Sequence, residues 1–353
     1  MGRASGRFAY AGLAAWFAAI AALVPVAAAD VGDFYHGRQV EIVIGMDVGG
    51  GYDTYSRLVG RYIGKYIPGN PTFIPENMTG AGSRTAANWL YNVAVHDGSV
   101  IGSLTEGTPL DQARKQPGIQ FDATKFNWIG NPIVDNQVTL AFADSGLVTL
   151  EDVKAKGGLI CGGTGASTPP IIFPRIINRL LGTDIRIIPG YPGAGAMVLA
   201  MERGEINCLG SHSWAATKAT MPNLVAGHKL NVLVQWGPTE DPDISAYAGH
   251  HVPLIDAYAQ SDADRRVLAL MSSGTALGRP LLAPPGVPSE RVAALRQAFD
   301  KVMEDADFRA EAKQLKLDIK PIGGENLQKA VTEVAGAPAD IIARVNDFID
   351  PQP

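Results

Sequence analysis

The chain has 353 residues, 46% of them apolar, with 30 basic against 35 acidic side chains and a formal net charge of −5. This composition excludes a disordered chain, and the negative balance argues against nucleic acid as a partner. The length suits two domains. The two cysteines, Cys161 and Cys208, are not spaced as a zinc or redox motif.

Residues 1–29 read as a cleavable signal peptide. Arg3 and Arg7 precede an apolar run from Phe8 to Val24, Pro25 breaks it, and Ala27-Ala28-Ala29 supplies the small residues before a cut at Asp30. The alternative is an uncleaved anchor, for which the run is slightly short. Cleavage would remove two of the 30 basic residues and no acid, leaving 28 against 35. An oxidising compartment permits a Cys161–Cys208 disulfide; two buried free thiols are the alternative.

Strand and helix signals then alternate. VEIVI (Val40 to Ile44) has strand length. After GMDVGGG, apolar residues at Tyr55, Leu58, Val59, Tyr62, Ile63 and Tyr66 trace one face of a helix, which Pro68-Gly69 stops. Pro71 to Ile74 and Ser99 to Leu104 are further strands, with a helix marked by Ala86, Leu90 and Val93 between them. The unit recurs at Leu159 to Cys161, Asp184 to Ile188 and Ile206 to Leu209, followed by Leu230 to Val234. Strand, loop and helix in succession predict parallel sheets covered on both faces, a doubly wound α/β architecture. Two extended stretches, 127–146 and 273–290, are the expected crossings between domains, with Gly130, Asn131 and Gly278 to Pro280 as hinge residues. The expected division is 30–133 plus 278–353 for domain one and 134–277 for domain two, around a central cleft. The C-terminal part returns to domain one with a helix whose stripe is Val292, Leu295, Phe299 and Val302, with Ser289 as its expected N-cap.

The glycine loops lie where open α/β sheets bind ligands, beyond the carboxyl ends of the strands. Helix N-termini carry unpaired N–H groups and partial positive charge, so a loop without side chains lets an anion reach them. Gly49-Gly50-Gly51 is expected to do this, with Asp53 capping the helix. Thr79-Gly80-Ala81-Gly82-Ser83, the loop at Thr105, Gly163-Thr164-Gly165-Ala166-Ser167, Gly193-Ala194-Gly195 and Ser211-His212-Ser213 occupy equivalent places. The P-loop is excluded because Gly51-Tyr52 stands where Lys and Ser or Thr belong, and GxGxxG is absent. GxSxG, HExxH and CxxC are also missing, so no catalytic residue, metal or cofactor is expected, although a Ser–His pair at His212 stays open. Cys161 and Cys208 each stand three residues before a hydroxyl, Thr164 and Ser211, which predicts proximity on neighbouring strands and leaves bonding open.

Taken in order, VGGGYDTYSRLVGRYIGKYIPGNP, ENMTGAGSRTAANWLYNVAVHDGSVIG, NWIGNP, MERGEINC and LLAPPGVPSERVAALRQAFDKVMEDADFRAEAK resemble the Bug-type, or TctC-like, solute receptors of tripartite tricarboxylate transporters. The resemblance covers nearly the whole chain after residue 29. It implies a periplasmic, monomeric receptor whose two α/β domains close like a Venus flytrap on a small organic acid and deliver it to a membrane permease. It also implies that domain-one backbone amides hold one carboxylate, at positions matched by Gly50, Gly51, Tyr52, Asp53, Gly80, Ala81 and Gly82. Domain two is matched by Gly163, Thr164, Ala166 and Ser167 and by Gly193, Ala194 and Gly195; Thr105 and Ser211 join them from the loop reading. The chain departs from the family at GASTPP and GSHSW, where ligand identity is set, so a dicarboxylate, a tricarboxylate and an aromatic acid all remain open. Tyr52 and Trp214 are either aromatic walls or core. A secreted enzyme on the same fold and a sensory module for an organic acid are the competing readings.

Overall fold

The computed structural model describes residues 31–349 except 166, 167 and 276. The signal-peptide expectation and the matched positions Ala166 and Ser167 lie outside the described residues. Two sheets organise the rest. The first contains β1 (Gln39–Ile44), β2 (Thr72–Asn77), β3 (Val100–Ser103), β4 (Asn127–Asn131), β10 (Leu281–Ala283) and β11 (Ile322–Gly323), in the order β11-β4-β10-β3-β1-β2. The second contains β5 (Gln137–Phe142), β6 (Ile160–Gly162), β7 (Arg186–Ile188), β8 (Cys208–Ser213) and β9 (Leu230–Trp236), in the order β7-β6-β8-β5-β9.

The sheets are mixed, which corrects the expectation of parallel ones. β1 runs parallel to β2 and β3, but β10 runs antiparallel to β3 and β4. Likewise β6 is parallel to β7 and β8, whereas β5 is antiparallel to β8 and β9. Of the reversed strands, β5 and β10 follow the crossings, whereas the short β11, antiparallel to β4, does not. Strands built within a lobe aim their carboxyl ends at the cleft, so a chain arriving from the other lobe runs away from it. The stretch 127–146 is therefore two strands in different sheets rather than one extended crossing.

The helix Gly51–Ile63 buries Tyr55, Leu58, Val59 and Ile63 against the first sheet, as its stripe requires. Tyr62 and Tyr66 instead stay near the surface and donate their hydroxyls to Glu311 and Asp305, at 2.7 and 2.6 Å. The helix Ser289–Glu304 buries Val292, Leu295, Phe299 and Val302, but Pro288 holds the N-cap position and Ser289 is its first residue. A proline there has no N–H of its own to satisfy. In the second lobe, Phe173 and Trp236 stack at 3.8 Å beneath the cleft. Cys161 lies opposite Cys208 in the β6–β8 ladder, and the two are bonded, with Cα atoms 4.2 Å apart.

The last helix, Ala339–Ile349, departs from the expected division. Its Ile341, Ile342, Val345, Phe348 and Ile349 enter the core that surrounds Phe173, Trp236 and the disulfide. The helix before it, Gly324–Ala335, packs on β4 of the first sheet. Residues 336–338 thus form a third connection between the lobes, which a stripe of apolar residues alone does not reveal because it names no partner.

Candidate functional site

β1 feeds the loop 45–50, where Gly49 takes a φ of +83°, a left-handed value that suits glycine. Gly50 is the N-cap of the Gly51–Ile63 helix and brings no side chain to its first-turn N–H groups. Asp53 is 3% exposed and braces the loop: it accepts from Gly49 N at 3.0 Å, Arg57 Nε at 2.7 Å and Asn77 Nδ2 at 3.0 Å. It is a support rather than a cavity wall.

The helix start opens on a cavity of about 100 Å3 between the lobes. Of the residues singled out from sequence, Gly50, Gly51, Tyr52 and Thr105 line it from the first lobe, and Thr164, Ala194 and Ser211 from the second. Gly80, Ala81, Gly82, Gly163, Gly193 and Gly195 do not. The Gly80–Gly82 loop is packed backbone: Gly82 O accepts from Thr105 Oγ1 at 3.1 Å, and a side chain on Gly82 would strike Thr168 Cγ2 at 2.9 Å. A side chain at Gly163 would strike the buried Ile171 Cδ1, which makes this glycine a packing requirement. Trp214 is core, 2% exposed and packed on Tyr247.

The expectation that the triglycine clears room for a ligand needs revision at Gly51. A Cβ there would meet Arg279 Nε at 2.6 Å, so the space is taken by a guanidinium of the protein itself. Gly193 is similar: its missing Cβ gives room to the Asp47 carboxylate, whose oxygens a side chain there would strike. Asp47 thus reaches from the first lobe to the N-cap of the Ala194–Glu202 helix in the second.

Four cavity residues carry the electrostatics. Arg279, from the second crossing, is 6% exposed; its Nη1 donates to Asp135 Oδ1 at 3.4 Å and its Nε has no partner. Asp135, from the first crossing, also accepts from Ser213 Oγ at 2.6 Å and Ala215 N at 2.9 Å. Glu106 is held by its own N–H donating to Tyr52 Oη at 3.3 Å. Burial pushes its carboxyl up to about 7, with Asp135 adding to the rise and Arg279 opposing it. Burial also raises Asp47, and its neighbour Asp53 adds to this. His212 is held down to about 4, first by burial and then by the Arg279 charge, so its imidazole is neutral near pH 7. Thr217 donates its hydroxyl to Ser213 O at 2.8 Å and sits 2.9 Å from His212 Nδ1, so Nδ1 carries the proton and Nε2 is an acceptor.

His212 lies in β8 rather than in a loop, opposite Val138 of β5. Sequence reading placed GSHSW after the strand because it did not recognise β5 as the partner. The Ser–His pair left open by the sequence is not formed at this site. Ser211 donates to Gln137 Oε1 at 3.1 Å, Ser213 donates to Asp135, and His212 pairs with Thr217. Among the described residues no group of three His, Cys, Asp or Glu side chains is placed to hold a metal, and no helix is long and apolar enough to cross a membrane. Arg279 and Gln137 were missed because they sit in crossings read only as connectors. Glu106 directly follows Thr105, whose hydroxyl is the feature the sequence singles out in that loop.

No protein-family model and no curated protein matches the chain. Solved structures do. The chain is similar to the periplasmic binding protein BugD, with 17% identity and a TM-score of 0.70 over 90% of this chain and 100% of that one. It is similar to MatC from Rhodopseudomonas palustris, solved with bound malate, at 21% identity and a TM-score of 0.66 over 89% and 99% of the two chains. It is also similar to Rpa4515 of R. palustris, solved with adipate, at 16% identity and a TM-score of 0.66 over 88% and 97%. At these identities the likeness establishes the fold: two mixed α/β domains about a cleft, as in Bug and TctC periplasmic binding proteins.

Proposed function

We propose that the protein is a periplasmic solute receptor of the Bug/TctC kind, which captures a small organic acid and hands it to a tripartite tricarboxylate-type permease. The observation that carries this reading is the cavity at the carboxyl ends of both sheets. It is walled by an uncapped helix N-terminus at Gly50 and Gly51, by the Arg279 guanidinium, and by neutral polar groups from the opposite lobe. An anion there meets oriented donors in a site of restricted water, where each contact is strengthened. Malate and adipate in structures of this fold support the acid class.

The cognate acid binds across the cleft and the lobes close, because only the closed state lets donors from both sides engage. The crossings that would flex are braced side by side. Arg279 N and Ile133 N both donate to Asn131 Oδ1, at 2.9 and 3.1 Å, and Gly278 takes a φ of +50°. The test is a thermal-shift screen of organic acids, followed by recovery of the ligand. A ligand in hundredfold excess over Kd adds about 2.7 kcal/mol to stability. A stabilising acid recovered unchanged, with a smaller radius of gyration in solution scattering, supports the receptor. Turnover of that acid favours the enzyme reading, and the absence of any stabilising acid refutes the receptor.

A further inference from the structure

An acid receptor has reason to surround its ligand with donors, yet this cavity holds a surplus of acceptors. Asp47 and Glu106 line it as carboxyls. The hydrogen-bond chain through Thr217 leaves His212 Nε2 an acceptor, and Ser211 spends its proton on Gln137. Asp135 stands just behind, on Arg279. Against these, Arg279 is the cation lining the cavity. It is 6% exposed, stands over the rings of Tyr52 and Tyr55, makes one long hydrogen bond to Asp135 and leaves Nε without a hydrogen-bond partner. Among the described residues no second cation lines the cavity, so a second carboxylate would have to lie among Asp47, Glu106 and Asp135.

We propose that the cavity is built for a zwitterion, an amino acid or amino-carboxylate, and not for a dianion. The carboxylate pairs with Arg279 and the N-terminus of the Gly51–Ile63 helix. The ammonium is received by Glu106 and Asp47, with His212 as a neutral acceptor. This rests on the receptor reading and specifies its ligand class. The balance of charge carries it: one cation for one carboxylate, and carboxyl and imidazole acceptors for an ammonium with three donors. The raised Glu106 carboxyl fits the same assignment, because an arriving ammonium favours the ionised form that burial disfavours. Gly51 has its place here too, since a side chain would push Arg279 off the helix start.

The experiment compares matched probes that differ in one charged group: 4-aminobutyrate with glutarate, 5-aminopentanoate with adipate, and aspartate with succinate. Binding is read by calorimetry on the full-length mature protein. At least one amino member is expected to bind more than about tenfold tighter than its partner, in keeping with the strength of charge-assisted hydrogen bonds. Glu106→Gln should narrow that preference by about tenfold, and Arg279→Gln should abolish binding of both members. If Arg279→Gln does not fold, Arg279→Lys keeps the charge, loses the planar fork and should still weaken binding about tenfold. Dicarboxylates that bind as tightly as their amino partners overturn the proposal while the receptor reading stands. So does a Glu106→Gln preference equal to the parent's, or an Arg279 variant with undiminished affinity. If no acid of either class binds, both readings fall.

Discussion

The two lobes present different chemistry to the same cavity. The first lobe, with the crossing beside it, brings the charged groups: Asp47, Glu106 and Arg279. The second brings neutral polar groups: Gln137, Thr164, Thr168, Ser211, Ser213 and the uncharged His212. Their supports differ as well. The first-lobe loop is braced by ionic contacts through Asp53, whereas the second-lobe ladder is locked covalently by Cys161–Cys208. The contrast suggests a division of labour: charge attracts and orients a ligand, while neutral hydroxyls and amides engage on closure with little desolvation cost.

The largest way to sharpen this comparison is to unlock the second lobe alone. Replacing Cys161 and Cys208 by serine frees a loop of 47 residues and is expected to cost about 4 kcal/mol. Hydrogen exchange should then show β5 to β9 losing protection before β1 to β3. Equal loss in both lobes would mean that they unfold as one unit.

Asp135 is the point where the lobes' chemistries meet. Asp135→Ala leaves Arg279 buried without its carboxylate and Ser213 Oγ without an acceptor, at an expected cost of about 3 kcal/mol in denaturant melts. A cost near zero would show that the 3.4 Å contact carries little.

Two glycines separate affinity from closure. Valine at Gly51 would displace Arg279 and should weaken acid binding at least about tenfold with the fold intact, since the arginine end can yield. Alanine at Gly193 would instead displace the Asp47 carboxylate, and the expected readout is a more open particle in solution scattering. Gly51→Val with unchanged affinity would remove the first lobe's claim to the ligand.

The smallest effects are pH slopes of opposite sign. Glu106 has a folded pKa raised from 4.5 to about 7, so its stabilisation is full below 4.5 and is lost as pH rises through 7. His212 has a folded pKa lowered from 6.5 to about 4, so its stabilisation is full above 6.5 and is lost as pH falls through 4. Arg279 and Asp135 face both groups and act on them in opposite directions. Melting temperatures across this range should rise for Glu106→Gln relative to the parent at pH 8, and for His212→Gln at pH 4. Parallel curves for parent and variant would contradict the assignment.

Much of this was legible in the sequence. Runs such as VEIVI, the stripe on Tyr55 to Ile63 and the glycines between them determine strand, helix and loop, because periodicity and φ preference are local properties. They also determined that helix N-termini would gather at one edge of each sheet. The pairing of Cys161 with Cys208 was approachable through strand spacing, but bonding needed the register of β6 on β8. Other features depended on contacts distant in sequence. β5 is a strand because β8 and β9 flank it, and the Ala339–Ile349 helix joins the second lobe because that lobe's core has a surface for it. Above all, the sequence placed Gly51 at a helix start, and only the tertiary structure put Arg279, 228 residues away in the chain, against it. Backbone preference is set by neighbours in sequence, whereas the charge in a cleft is set by whichever distant segments the fold brings there.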